Sequence, residues 1–474
     1  LPNTDLFELT ARATLDLIRN RRMSCAELVS ALVARAQQFR SLNAYITLDE
    51  AGALRRAQDV DRRIAAGNKD GMLLGVPLVL KDNIELAGLP NTGGTSSLEN
   101  FVPDRSAPVA QALLDQGAII LGKTNMHELA FGVTSDNKYF GAVGNPYRAD
   151  CFAGGSSGGT GAAVAARMAI AGLGTDTGGS VRIPAALTGI TGFRPSIRRY
   201  AQTGIIPISN TRDTAGPMAR SVSDLVLLDA VIMQLVPDFT PAQPHTVRLG
   251  VPRSYFYENL DREITSRIAE ALEKIEHAGV QLVEADMPGM RDLESETGLP
   301  LASYEAKRGL SGYLKNATGG RVSFDELCAG IASPDVREVF SAFILGEMAP
   351  TEQDYKRAME EDLPAIRGMF RDYFAVNQLD GMIFPTVPVT AQPIAGSDEK
   401  VLLNGQPAPT FLTVARNTSP GSIAGIPGIT IPAGLSPGGM PVGIEIDGPF
   451  GSDTRLLSIA LMLEEILGTL PAPV

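Results

Sequence analysis

Between residues 74 and 236, short apolar runs alternate with glycine-rich turns and helical segments, and this alternation narrows the available folds more than any other feature. The runs 76–80, 119–121 and 168–173 have the length and apolar character of buried strands. Helical patterns lie between them, one after Ser106 with Val109, Leu113 and Leu114, the other an Ala-rich stretch after Gly161. Such a succession predicts an α/β fold, with a large mixed β-sheet core covered by helices on both faces. The strand pattern resumes at 381–384, 429–432 and 442–446, and a helix over 455–467 closes the chain.

The flanking segments differ. Residues 1–70 are mostly helical: Ser24 caps a helix with Glu27 as its capping-box partner, and Leu28, Leu32, Ala36 and Phe39 recur on one face. A second helix is predicted over 49–66, ending at Gly67. A Pro-rich stretch, 237–244, marks a boundary. Beyond it come a strand at 247–251 and an amphipathic helix over 261–277 that aligns Ile264, Ile268, Leu272 and Ile275. Residues 290–376 are more charged and strongly helical, so 245–376 is assigned to a mostly helical insertion packed on the core of one domain, 1–474. The stretch 396–409 is expected to be a mobile loop.

The net charge of −12 and the lack of any basic block argue against nucleic acid and anionic membranes as partners. No apolar run reaches the roughly 18 residues of a membrane helix. The three cysteines, Cys25, Cys151 and Cys328, are isolated, with no Cys-x-x-Cys pair. That pattern favours a reducing compartment and leads to a cytoplasmic assignment. The chain opens at Leu1, which leaves a removed N-terminal segment open, and a homodimer is among the open assemblies.

Two glycine-framed serines carry the chemistry. Ser156 stands in Gly154-Gly155-Ser156-Ser157-Gly158-Gly159, and Ser180 follows Gly178-Gly179. Glycines there let a ligand approach bare backbone. Lys81 closes the apolar run 76–80, where burial disfavours its ammonium form and makes it a base near neutral pH. Two serines and a lysine suffice for acyl transfer without histidine. Consecutive N–H groups at Gly178-Gly179 can point into one cavity, the geometry of an oxyanion hole.

Rival readings are weaker. Gly154-x-Ser156-x-Gly158 matches a nucleophile elbow, but residues 145–152 do not read as the strand it needs. The later histidines sit badly for it, His245 in the Pro-rich stretch and His277 at a helix C-terminus, where it suits the dipole. A phosphate cradle lacks the Lys-Ser/Thr ending of a P-loop and the third glycine of a dinucleotide fingerprint. His127 is assigned a hydrogen-bonded structural role, and Lys123, a rival base, a surface or ion-paired one.

The ordered blocks Gly75-Val76-Pro77 to Lys81-Asp82-Asn83, Gly122-Lys123-Thr124-Asn125, Asn145-Pro146, the Ser156 loop and Gly174-Thr175-Asp176-Thr177-Gly178-Gly179-Ser180 resemble the amidase signature family. Ala424-Gly425-Ile426-Pro427 and Pro441-Val442-Gly443 are similar to its C-terminal pattern. The resemblance spans nearly the whole chain and is weakest over 250–375. It implies a triad in which Ser180 is the nucleophile, Ser156 a bridging serine after a cis Gly155–Ser156 peptide bond, and Lys81 the base. By the same resemblance the amides of Thr177, Gly178, Gly179 and Ser180 form the oxyanion hole. Ala130, Phe131 and Gly132 line the acyl pocket, and no metal or organic cofactor is implied.

The chain departs from the glutamyl-tRNA amidotransferase A subunit, which it also resembles. Ile183 stands where that subunit typically has Gln, and Arg194-Pro195-Ser196 where it has Lys-Pro-Thr. The run from His127 to Pro146 and Ser180-Val181-Arg182-Ile183-Pro184 look closer to arylalkyl-amide hydrolases of the mandelamide and indoleacetamide type. The expectation is hydrolysis of a small-molecule aryl or arylalkyl amide. An amidotransferase subunit, a carbamate or ester hydrolase and a non-enzymatic binder on the same scaffold are the alternatives.

Overall fold

In the computed structural model, which describes residues 6–473, eleven strands form one mixed sheet. In chain order they are β1 (Tyr45–Leu48), β2 (Pro77–Lys81), β3 (Ile119–Thr124), β4 (Ala171–Asp176), β5 (Thr191–Arg194), β6 (Thr214–Ala219), β7 (Arg248–Val251), β8 (Gln281–Glu284), β9 (Gly381–Pro385), β10 (Gly428–Leu435) and β11 (Pro441–Asp447). Across the sheet they run β1-β3-β2-β4-β6-β5-β10-β11-β9-β7-β8. Strands β3, β2 and β4 are parallel; Lys81 lies opposite Thr124, and Leu80 opposite Leu173. Their carboxyl ends therefore open on one side of the sheet, where ligands bind in open α/β sheets. From β4 to β9 every pairing is antiparallel.

Residues of β2 to β6 and of β9 are buried along their whole length, as strands covered on both faces must be. The helices Gly158–Ala165 and Arg182–Thr188 pack together against the centre of the sheet. The helix Asp453–Leu467 joins Val222–Met233 and Arg262–His277 in a second group. Among the described residues no helix is long and apolar enough to cross a membrane.

Several expectations are met and others need adjusting. The Ser24–Glu27 capping box is present at the helix Cys25–Gln38, and Asp49 caps Glu50–Ala65. The run expected at 168–173 enters the sheet only from Ala171, because the Met168 amide still donates to Ala163 O. Strand β6, Thr-Ala-Gly-Pro-Met-Ala, is hidden in the sequence by Gly216 and Pro217, which normally argue against a central strand. Residues 144–145 and 148–152, expected not to be extended, form a separate two-stranded ribbon. The supposed loop 396–409 carries a hairpin, Lys400–Leu403 with Gln406–Pro409. Within 245–376, β7 and β8 belong to the sheet edge, and the helical part begins at the helix Met290–Ala317.

That helical part is anchored beside the parallel strands. The Glu128 carboxylate accepts the amides of Ala332 and Ser333, the latter at 2.7 Å. Asp335 Oδ2 lies 2.9 Å from His127 Nε2. Glu128 is fully buried, so deleting its carboxylate strands two amides. The Glu128→Ala variant should lose about 1.5–3 kcal/mol of stability in urea denaturation, the range for hydrogen bonds to a charged group. Limited proteolysis should cut it faster between residues 330 and 350. Unchanged midpoint and cleavage would show that the anchor lies elsewhere.

Candidate functional site

Lys81 ends β2, and its fully buried ammonium nitrogen lies 2.7 Å from Ser156 Oγ and 2.8 Å from Thr175 Oγ1. Asn83 Nδ2 donates to the same Thr175 hydroxyl at 3.0 Å, fixing it between the strand ends. Burial pulls Lys81 down to about 7, against the opposing attraction of Asp176 and Asp213. Ser156 follows a cis Gly155–Ser156 peptide bond, as the resemblance implies. Behind it the chain turns straight into the helix Gly158–Ala165. There a Cβ on Gly159 would meet Asn125 O at 2.2 Å, so only glycine fits.

Ser180 sits at the tip of the next loop, 9 % exposed, while Lys81 and Ser156 are fully buried. The two loops are tied by the Ser157 amide donating to Ser180 O at 3.2 Å. Among the described residues the Ser180 hydroxyl has no hydrogen-bond partner, so the structure joins Lys81 to Ser156 but does not join either to Ser180. Such contacts are often long without substrate. Gly179 has φ +126°, and a Cβ there would meet Thr418 Oγ1 at 2.1 Å.

The loop from Asp176 to Val181 is braced on every side. Arg212 Nε donates to Thr177 O at 3.0 Å, and Thr418 Oγ1 donates to Gly178 O at 2.6 Å. Thr177 Oγ1 donates to Asp213 at 2.6 Å. Both carbonyls are thus held by side chains from outside the loop. One amide differs from expectation: Gly179 N–H donates to Asp176 Oδ1 at 2.9 Å. A buried carboxylate takes it, which leaves the amides of Thr177, Gly178 and Ser180 without an acceptor among the described residues.

Asp176 is itself gripped by two arginines. Arg182 reaches it through Nε and Nη2, both at 3.1 Å, and Arg194 Nη1 contacts its Oδ1 at 3.0 Å. Burial works to raise the Asp176 carboxyl, but the two guanidiniums hold it well below the usual range. Arg182 also donates to Ser422 Oγ at 2.6 Å and to Glu445. Burial pushes the nearby Asp447 up to about 6 and Glu445 well above its ordinary value. Thus Arg194, part of a departure from the amidotransferase pattern, braces the loop that carries Ser180, while Ile183 is simply buried.

His127 has the structural role assigned to it. Its Nδ1 accepts the Ser135 amide at 3.2 Å, which leaves Nε2–H to face Asp335. A Cβ on Gly132 would strike that ring at 2.2 Å, so the loop 127–135 is wrapped on it. Ala130 packs with Met126 and Ile208. Phe131 is half-buried and meets Phe340 of the helical part edge-on, with ring centroids 5.0 Å apart. Phe131 and Gly132 line a small cavity with Val339 and Phe411. Lys123 is not at the surface: it is fully buried and ion-paired with Asp82 at 3.0 Å. Arg212, Asp213 and Thr418 lie outside every motif quoted from the sequence, whereas Thr175 and Asp176 fall inside the 174–180 block, which did not assign them a role. Among the described residues no three His, Cys, Asp or Glu side chains converge as a metal site.

A sequence model of the family described as Amidase matches residues 27–457. The chain is 45% identical to mandelamide hydrolase of Pseudomonas putida, covering 99% of this chain and 93% of that enzyme. It is 42% identical to indoleacetamide hydrolase of Agrobacterium vitis, covering 96% of each. A solved amidase structure superposes with a TM-score of 0.87 at 31% identity, over 97% of this chain and all of the other.

The arginine grip can be tested directly. Arg182→Met leaves Asp176 and Glu445 buried with one cation fewer, and should cost about 3–5 kcal/mol in urea denaturation. Arg182→Lys keeps the charge without the fork and should fall between that variant and wild type. Equal stability of all three would mean that the network contributes nothing to the fold.

Proposed function

Because the chain belongs to the amidase family and is thus a hydrolase of C–N bonds, we propose that it cleaves aryl or arylalkyl carboxamides through a Ser180 acyl-enzyme. The observation that carries this reading is the 2.7 Å contact between Ser156 and a lysine that burial has brought to about 7. Neutral Lys81 accepts the Ser156 proton while Ser156 takes that of Ser180, and Ser180 Oγ attacks the amide carbon. The amides of Thr177, Gly178 and Ser180 receive the oxyanion, held in place by the Asp176–Arg182 grip. Lys81 returns the proton through Ser156 to the departing nitrogen, and ammonia leaves. Water then repeats the sequence on the ester, releasing carboxylate and free Ser180.

The acyl group is proposed to rest against Phe131. Its flat ring, steadied by Phe340, suits an aryl partner, and the names of the two enzyme relatives fit that class. The product pair is a carboxylic acid and ammonia. No step calls on a second subunit, which distinguishes this reading from an amidotransferase component.

Three measurements test it. Ser180→Ala should abolish turnover of phenylacetamide, and a sulfonyl fluoride should label Ser180 rather than Ser156; near-normal turnover in Ser180→Ala would end the assignment. The pH profile follows from Lys81. Because the neutral amine is the active form and its pKa is lowered to about 7, kcat/KM should rise with pH through about 7 and level off above it. A flat profile from about pH 6 to 8.5 would remove Lys81 from the base role. Finally, Phe131→Ala should raise KM for phenylacetamide by about two- to tenfold, matching an aromatic contact of about 0.5–1.5 kcal/mol, and spare propionamide. Equal losses on both amides with a large drop in Tm would assign Phe131 to the fold alone.

A further inference from the structure

A cavity of about 890 Å³ lies away from Lys81, Ser156 and Ser180, none of which lines it. It opens between the helix Leu363–Val376 and the end of the helix Ser419–Ala424. Its floor is apolar, built from Ile197, Leu363, Phe370, Phe374 and Ile426, and Phe450, 65 % exposed, stands at its mouth. The volume falls in the range of small-molecule sites.

The charge on its wall is one-sided. Arg198 and Arg367 both line the cavity, and among the described residues neither forms an ion pair. Among the described residues the Arg367 side chain makes one hydrogen bond, from Nε to Ala424 O at 3.2 Å. Burial and the facing Arg198 lower the pKa of Arg367, and no carboxylate offsets that repulsion. Arg371, the third arginine on the wall, is already joined to Asp372 at 2.9 Å. Arg198 also holds a left-handed backbone, φ +67°, which a non-glycine residue adopts rarely. Arg198 and Arg367 are both exposed at the rim of this apolar floor and near enough for one to lower the pKa of the other, an arrangement that suits one anionic head with an apolar body.

We propose that this cavity is a second ligand site, which binds an apolar monocarboxylate with its carboxylate between Arg198 and Arg367 and its aryl or alkyl body on Phe370 and Phe374. A free alkanoic acid and an aryl acid of the kind that amide hydrolysis releases share this chemistry. The site does not depend on Ser180. Ala424, which Arg367 holds, ends the helix whose Ser422 accepts from Arg182, so one helix separates the cavity from the nucleophile loop.

Equilibrium dialysis of the full chain with phenylacetate and with octanoate tests the site and ranks the two sources. Each acid should bind saturably and outcompete its neutral counterpart, 2-phenylethanol or 1-octanol. Arg198→Gln and Arg367→Gln should each weaken acid binding by about threefold or more, and together by about tenfold or more, with alcohol binding and Tm unchanged. Acid held at the Ser180 site would survive these substitutions, so the loss reports the cavity itself. Wild-type acid affinity in the double variant, equal binding of acid and alcohol, or a dimer that buries Phe450 and excludes both acids would each overturn the proposal.

Discussion

Removing Lys81 from water is the constraint on which the rest of the site depends. An ammonium at the end of a buried strand is costly, and the protein surrounds it with hydroxyls rather than a carboxylate partner. The negative charges that steady it, Asp176 and Asp213, act from a distance and leave its proton free to move. Lys123 provides the contrast within the same sheet. It too is wholly buried, one strand over, and burial lowers its pKa as well, but there a direct Asp82 contact opposes the shift. Identical side chains on neighbouring strands thus have different partners, one a carboxylate at 3.0 Å and the other a serine at 2.7 Å.

Around that lysine the backbone is arranged by charges of the opposite sign. Asp176 is locked by Arg182 and Arg194, and through its own oxygens it locks the amides of Gly179 and Val181. The loop 176–181 is therefore braced by electrostatics, and its Gly179 is demanded by the close approach of Thr418. Preorganisation of this kind lets backbone dipoles stabilise developing charge without reorganising at the moment of reaction.

Lys81, Ser156 and Ser180 were legible because local patterns mark them: an apolar run that ends in lysine, and glycines that frame serines. The parallel strands β2, β3 and β4 were legible for the same reason, in kind if not in their bounds. What local pattern could not convey was partnership over distance. Thr418 meets Gly178, and Glu445 meets Arg182, across more than two hundred residues. Strand β6 was lost because its apolar content is Ala, Pro and Met rather than β-branched residues, and tertiary burial makes it a strand. Lys123 was expected to be exposed or paired, and only the fold could reveal that Asp82 shares its burial.

The order of strands across the sheet has a consequence for synthesis. β10 and β11 are the last strands in sequence, yet they lie at the heart of the sheet between β5 and β9. Ser422, Glu445 and Asp447, which complete the charge shell of Arg182, arrive with that final stretch. A nascent chain that has emerged through residue 400 carries Lys81, Ser156 and Ser180 but neither Thr418, which braces the loop 176–181, nor β10, which pairs with β5. Pairings so remote in sequence are the slow ones to form. The brace around the loop 176–181 therefore closes only when the chain is nearly complete, well after Lys81, Ser156 and Ser180 have left the ribosome.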